Sequence, residues 1–307
     1  MFISFLDLEG SYLYDNSIYF DLINRKEGFI ESKNYKTYYE IHSPRSPQLD
    51  DTPIILLAGG PGLSFKTLTP LLKLAETRLV IAYDQIGSGN STRSNYFHSL
   101  NIKDFLEQFN SVVTELGITK FHILGHSWGT ILGVHIALEY PESIRSLILH
   151  SGIADWEHCL KEREKFKKEY FPDDLKQFDK RMNEGIKISQ DEMEGFINKY
   201  NSLYYCRVEY PKYLSESLKD KDTRTNQLIW DPERNKEMSN YNICERLKEI
   251  NCPTLILSGK YDGISVGQAE LFMSNIKNSK YIEFPNSSHY AHIEEEENFL
   301  EQVKAFL

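Results

Sequence analysis

The chain has 307 residues, with 45 acidic against 35 basic side chains and a formal charge of −10. Apolar residues make up 40 % and charged residues 26 %, with 17 Gly and 11 Pro, which excludes a collagen, a low-complexity disordered chain and a disulfide scaffold. A chain of this size can bury a substantial core, as one large domain or two smaller units. No run of Lys and Arg supplies the basic face that a nucleic-acid partner requires.

The N-terminal stretch Met1–Gly10 is apolar but has no basic segment, and Asp7 and Glu9 interrupt it. It fits neither a signal peptide nor a membrane span, so no membrane partner and a cytoplasmic location are expected. Cys159, Cys206, Cys244 and Cys252 form no Cys-x-x-Cys pair. Reduced structural thiols are therefore expected, with no metal and no cofactor.

From about Lys33 the chain alternates strand-like and helix-like stretches. Tyr35–Ile41 alternates like a half-buried strand, and Pro53–Leu57 and Leu79–Tyr83 are continuous apolar runs that suit strands buried on both faces. Asp104–Leu116 has apolar residues at helical spacing and is followed by Gly117, a helix stop signal. Phe121–Leu124 reads as a strand, Ile131–Tyr140 as a helix ended by Pro141, and Ser146–His150 as a strand. This alternation predicts a mostly parallel sheet with helices on both faces.

The pattern breaks at about Asp155. Residues 155–240 are charged and Tyr-rich, with helical stretches such as Cys159–Tyr170 and no buried-strand runs. The α/β pattern then returns with the strand Pro253–Ser258, the helix Gly267–Ile276, the strand Lys280–Phe284 and a C-terminal helix Glu295–Leu307. Residues 1–154 and 241–307 thus read as two parts of one α/β core, and 155–240 as a helical insertion. Ligands bind at the carboxyl ends of parallel strands, so the insertion reads as a cap over a site rather than as surface decoration.

The chemistry is most legible at Gly125-His126-Ser127-Trp128-Gly129, a Gly-x-Ser-x-Gly between a buried strand and an apolar helix. Such a serine sits on a strained turn, and the flanking glycines let strand and helix pass closely. A serine hydroxyl needs a base, and in this arrangement an acid and then a histidine follow in the chain. Asp262 lies in the turn after the strand Pro253–Ser258, and His289 in the loop after Lys280–Phe284. His292, three residues on, is the competing base, and Asp84 is a competing acid better suited to structure. The tetrahedral oxyanion would be met by the N–H of Trp128 and by that of Gly60 in the loop Ala58-Gly59-Gly60-Pro61-Gly62.

Together, Gly59–Gly62, Tyr83-Asp-Gln-Ile-Gly-Ser-Gly-Asn-Ser91, Gly125–Gly129, Ser258-Gly-Lys-Tyr-Asp262 and Asn286-Ser-Ser-His289 resemble the proline iminopeptidase (prolyl aminopeptidase) family of α/β-hydrolases. The resemblance runs in order from about Glu27 to the C-terminus. That family includes tricorn-interacting aminopeptidases and amino-acid amidases, so it implies an α/β-hydrolase fold and a small peptide or amide substrate with a free N-terminus. Ala58 stands where the family usually has histidine before Gly-Gly-Pro-Gly. The family holds the substrate amine with cap carboxylates, which the resemblance maps onto Glu209 in Cys206-Arg-Val-Glu209-Tyr-Pro211 and Glu233 in Trp230-Asp-Pro-Glu233-Arg234. Asp231 and Glu237 are rivals for the second position. Serine in place of a carboxylate nucleophile argues against an epoxide hydrolase or haloalkane dehalogenase. The expectation is a metal-free serine hydrolase acting as an aminopeptidase. The alternatives are a carboxylesterase or amidase of another small acyl substrate, and a non-catalytic binding protein on the same fold.

Overall fold

Two β-branched and Leu-rich runs, Ile54–Leu57 and Val80–Tyr83, lie at the centre of an eight-stranded sheet, and every residue in them is buried. The computed structural model describes residues 23–32, 35–45 and 52–307, so the stretch Met1–Gly10 lies outside the described residues. The strands are Ile23–Glu31 (β1), Lys36–Pro44 (β2), Ile54–Leu57 (β3), Val80–Tyr83 (β4), Phe121–His126 (β5), Ile144–His150 (β6), Thr254–Gly259 (β7) and Ser279–Phe284 (β8). Their order is β1-β2-β4-β3-β5-β6-β7-β8. The pairs β1–β2 and β2–β4 are antiparallel, and all others are parallel.

Successive strand residues point to opposite faces, and the sheet is packed on both. Ile55 and Leu57 join one apolar cluster with Phe105, Phe109, Trp128 and Ile131, while Ile54 and Leu56 join another with Phe65, Leu71 and Phe299. The first face is covered by the helices Ile102–Glu115 (α1) and Trp128–Glu139 (α2). α1 opens with a capping box in which Asn101 and Asp104 satisfy each other's backbone N–H groups. The second face is covered by the 3-10 helix Phe65–Glu76 and the C-terminal helix described below.

Between β6 and the Cys244–Leu247 helix that precedes β7 the chain forms six helices: Trp156–Tyr170 (α3), Asp173–Asn183 (α4), Gln190–Tyr204 (α5), Lys212–Lys219 (α6), Thr223–Trp230 (α7) and Lys236–Ser239 (α8). The insert leaves and rejoins the sheet at one place. Trp156 N–H donates to Tyr241 O, Ile243 N–H donates to Ala154 O, and Asp155 bridges Asn242. The remaining helices are Cys244–Leu247 (α9), Gln268–Asn275 (α10), Ala291–Glu294 (α11) and Glu296–Phe306 (α12).

Three features depart from the sequence reading. β1 is an additional edge strand whose Asn24–Glu27 stretch faces water, so it carries little apolar signal. It is held partly by Arg25, which donates to both carboxylate oxygens of the buried Glu40 at 2.9 and 2.7 Å. α2 begins at Trp128 rather than Ile131, and the C-terminal helix is divided at Glu295. Among the described residues no helix is long and apolar enough to cross a membrane.

Candidate active site

Ser127 follows the last residue of β5 and adopts φ 54°, ψ −120°, a backbone conformation that residues other than glycine rarely enter. The neighbouring glycines make the turn sterically possible. A Cβ on Gly125 would lie 2.2 Å from Gly129 O, and one on Gly129 would lie 2.1 Å from Leu57 O. The strand, the turn and α2 therefore pass closer than any side chain permits, and the half-buried Ser127 is left at their apex. Ser127 is also the N-cap of α2 but makes no side-chain cap bond there, so its hydroxyl is not spent on the helix.

β7 and β8 bring the other two residues to the same end of the sheet. Asp262 and His289 are only 5 % and 2 % exposed, and His289 Nδ1 lies 3.1 Å from both Asp262 carboxylate oxygens. The Asp262 Oδ1 atom also accepts the N–H groups of Ile264 (2.8 Å) and Ser265 (3.1 Å), and Oδ2 accepts the Ser265 hydroxyl at 2.5 Å. Burial alone would raise the Asp262 carboxyl. The adjoining His289 and the donated hydrogen bonds outweigh it and hold the group well below the usual carboxylate range. Asp262 is thus ionised, fully paired and fixed. Among the described residues no hydrogen bond joins Ser127 Oγ to the His289 ring, a bond that in unliganded enzymes is commonly long and tightens with substrate.

The two expected oxyanion donors both belong to segments that border Ser127. Trp128 N–H opens α2, where the first amides have no acceptor within the helix. Gly60 has φ 116°, and a Cβ on its neighbour Gly59 would lie 3.0 Å from Ser127 Cβ, so this loop is pressed against the serine turn. Gln85 ties the two halves together: its Nε2 donates to Ala58 O, and its Oε1 accepts from Trp128 Nε1, both at 2.9 Å. Gln85 belongs to the Asp-Gln-x-Gly segment of the resemblance, but its position between the two donors was not legible from spacing. Asp84 beside it accepts the N–H groups of Phe65 and Asn90 and is raised by burial, the structural part expected of it.

The competing base His292 has no free nitrogen. Its Nε2 donates to Thr67 O at 2.9 Å, and its Nδ1 faces His150 Nε2 at 3.0 Å. With His126 these rings form a buried group whose ring nitrogens approach within 4.8 Å, a spacing open to a metal ion. The hydrogen bonds give them another use. If His292 donates from Nε2, its Nδ1 must accept from His150, and His126 Nε2 donates to His289 O at 2.9 Å. Burial, then repulsion from the neighbouring imidazoles, keeps the pKa values of His126 and His150 well below the usual histidine value. Burial also lowers that of His292 to about 4. These neutral rings support the loop of His289 from behind.

The two carboxylates mapped for the substrate amine are less enclosed. Glu209, in the segment between α5 and α6, and Glu233, in the turn after α7, are both exposed and without an ion pair among the described residues. Asp231 is engaged by Arg234 and the Glu233 N–H, and Glu237 lines a separate groove with Tyr35, Glu107 and Arg246. The residues that sequence reasoning missed are Ser265, Gln85, His126 and Tyr205. Tyr205, from the insert, stacks on the His289 ring at 5.5 Å and 17°. Only Ser265 had a local signal, as the hydroxyl three residues beyond an aspartate in a turn.

Residues 52–296 match the alpha/beta hydrolase fold family. The chain is 30 % identical to a proline iminopeptidase of Saccharolobus solfataricus over 93 % of each chain. It is 32 % identical to a proline iminopeptidase of Clostridioides difficile, covering 92 % of this chain and 97 % of the relative. In fold it is similar to the crystal structure of proline iminopeptidase of Mycobacterium smegmatis, with a TM-score of 0.81 and 24 % identity over 92 % of this chain and 97 % of that one. The strained serine turn, the buried Asp262–His289 pair and these likenesses converge, and the chain belongs to the proline iminopeptidase family of α/β-hydrolases.

Proposed function

We propose that the protein is an aminopeptidase that releases an N-terminal residue, proline by preference, from short peptides or amides. Ser127 is the nucleophile, His289 the general base and acid, and Asp262 the group that orients the imidazole. Ser127 Oγ attacks the acyl carbon of the first residue while His289 Nε2 takes the hydroxyl proton. The oxyanion forms between the N–H groups of Gly60 and Trp128. The C–N bond then breaks as His289 returns the proton to the departing amine, and a water activated by the same histidine cleaves the acyl ester and frees Ser127. The observation that carries this reading is the Asp262–His289 contact, because a carboxylate that accepts from Nδ1–H selects the tautomer in which Nε2 is the acceptor.

In this reading residues 155–240 form the cap. It is supported by Asn226 of α7, which donates to Gly60 O at 3.1 Å, and by Asp222, whose N–H donates to Gly62 O. Glu209 is the carboxylate that meets the substrate ammonium, and Glu233 is the second, both resting on the resemblance. The four cysteines are free, which supports a reducing, cytoplasmic setting. The exposure of Glu209 and Glu233 favours a second reading, an esterase or amidase of small acyl groups with no demand for a free amine. Fluorophosphonate labelling of the wild type and Ser127→Ala tests the nucleophile. Prolyl-naphthylamide run beside its N-acetylated form and a p-nitrophenyl ester separates the two readings.

A further inference from the structure

The insert touches both loops that carry the candidate acid and base. Next to Asp262, Tyr200 Oη of α5 donates to Gly263 O at 2.9 Å, and Gly263 N–H donates to Tyr204 O at 3.1 Å. Next to His289, Tyr205 stacks on the imidazole and its hydroxyl lies 3.1 Å from that of Tyr290. Glu294, at the end of α11, closes this contact. Its Oε1 accepts from Arg207 N–H at 2.7 Å and from the Ser288 hydroxyl at 2.8 Å, and its Oε2 accepts from Ser288 N–H at 2.9 Å. One carboxylate therefore holds both the insert and the residue immediately before His289.

We propose that Glu294 is a positioning residue for His289, joining its loop to the 200–207 strap of the insert so that acid and base are seated together. The inference rests on the reading of Ser127, His289 and Asp262 given above. Each carboxylate oxygen takes one backbone N–H, one on either side of the joint. A carboxylate is the only side-chain group of this length that can do both, because it accepts at each end. An amide in either orientation turns its NH₂ against a backbone N–H, releasing either Arg207 or Ser288. The Ser288 hydroxyl can rotate to accept, but the backbone donors cannot. Burial raises the Glu294 carboxyl and outweighs the opposing effect of the Arg207 and Ser288 bonds. A base displaced by about 1 Å loses on the order of 10²-fold in rate.

The test is a double-mutant cycle of Glu294→Gln and His289→Ala, read as kcat and KM on a p-nitrophenyl ester, whose leaving group keeps residual turnover measurable. Glu294→Gln should lower kcat by about 10- to 100-fold, with KM within about threefold, and should have no further effect in the His289→Ala background. Equal losses in both backgrounds, or no loss in either, would overturn the inference while leaving the triad standing. Wild-type turnover by His289→Ala would instead overturn the triad itself, and the inference with it. Should Glu294→Gln prove insoluble, Ser288→Ala deletes one of the three bonds. It should cost about 3- to 10-fold in the wild-type background and nothing beside His289→Ala.

Discussion

Asp262→Asn is the sharpest test of the catalytic reading, because the structure dictates how the amide must sit. Oδ1 accepts two backbone N–H groups, those of Ile264 and Ser265, whereas Oδ2 accepts only the Ser265 hydroxyl and shares the His289 contact. Placing NH₂ at the Oδ1 position would set it against two buried donors that cannot turn, at a cost of about 1–3 kcal/mol each. The NH₂ group therefore takes the Oδ2 position, where the Ser265 hydroxyl can rotate to accept from it. There it also donates toward His289 Nδ1, which must now be the acceptor, so the proton moves to Nε2. That tautomer cannot take a proton from Ser127. The fold should survive, while kcat falls by about 10⁴-fold, the loss expected when a triad imidazole is held in the wrong tautomer. This corresponds to about 5.5 kcal/mol. The assay is the steady-state rate on prolyl-naphthylamide together with the rate of fluorophosphonate labelling, with thermal unfolding as the control. A variant that keeps kcat within tenfold of wild type would refute the assignment of Asp262.

The remaining expectations concern the rest of the site. Ser127→Ala and His289→Ala should each lower kcat by about 10⁴-fold or more, whereas His292→Ala should keep most of kcat and instead lower the melting temperature, since both its nitrogens serve buried bonds. Free prolyl-naphthylamide should be cleaved at least ~100-fold more efficiently than its N-acetylated form, and Glu209→Gln should narrow that gap by about fivefold or more, the worth of at least an exposed ion pair; equal kcat/KM for the two substrates would favour the esterase reading. Stability should fall on acidification through two windows. His126, His150 and His292 have folded pKa values lowered from 6.5, so the unfolded chain binds protons first as the pH drops below 6.5 and stability is lost down to about pH 4 for His292. Glu40 is lowered to about 2 because the His42 and Arg25 hydrogen bonds outweigh its burial, so its contribution is lost between about pH 4.5 and 2. A melting temperature flat from pH 7 to 4 would contradict this.

What could be read from the sequence follows from which forces act locally. β3 and β4 are buried on both faces and marked by uninterrupted apolar runs, and β5 and β7 each carry a short apolar stretch, Ile123–Leu124 and Leu255–Leu257. Once those strands are placed, Ser127, Asp262 and His289 fall at carboxyl ends of strands, and chain order alone aligns them. β1 was missed because only Ile23 and Ile30 of its nine residues are buried, and its anchoring comes from the distant Glu40. Gln85 and Glu294 were illegible for a related reason. Each is defined by two partners far apart in the chain, Ala58 and Trp128 for one, Ser288 and Arg207 for the other.

The same distinction explains why the chemistry is better defined than the substrate. The nucleophile turn is fixed by contacts between backbones, with no room for a Cβ at Gly125 or Gly129, so its geometry tolerates little change in the surrounding side chains. The mapped amine-binding acids, in contrast, lie in connections between short helices of the insert, where neither periodicity nor a strand end fixes where a side chain points. Their exposure means that any hold on a substrate ammonium is weakened by water until a ligand covers them. In the proposed function, selectivity for a free N-terminus would depend on how closely the insert sits on the core. Tyr200, Tyr205 and the Glu294–Arg207 bond set that distance. The same contacts touch the loops of Asp262 and His289, Tyr200 at Gly263 and Tyr205 at the imidazole. Loosening that joint should therefore reduce both rate and selectivity, even though no residue in it touches the scissile bond.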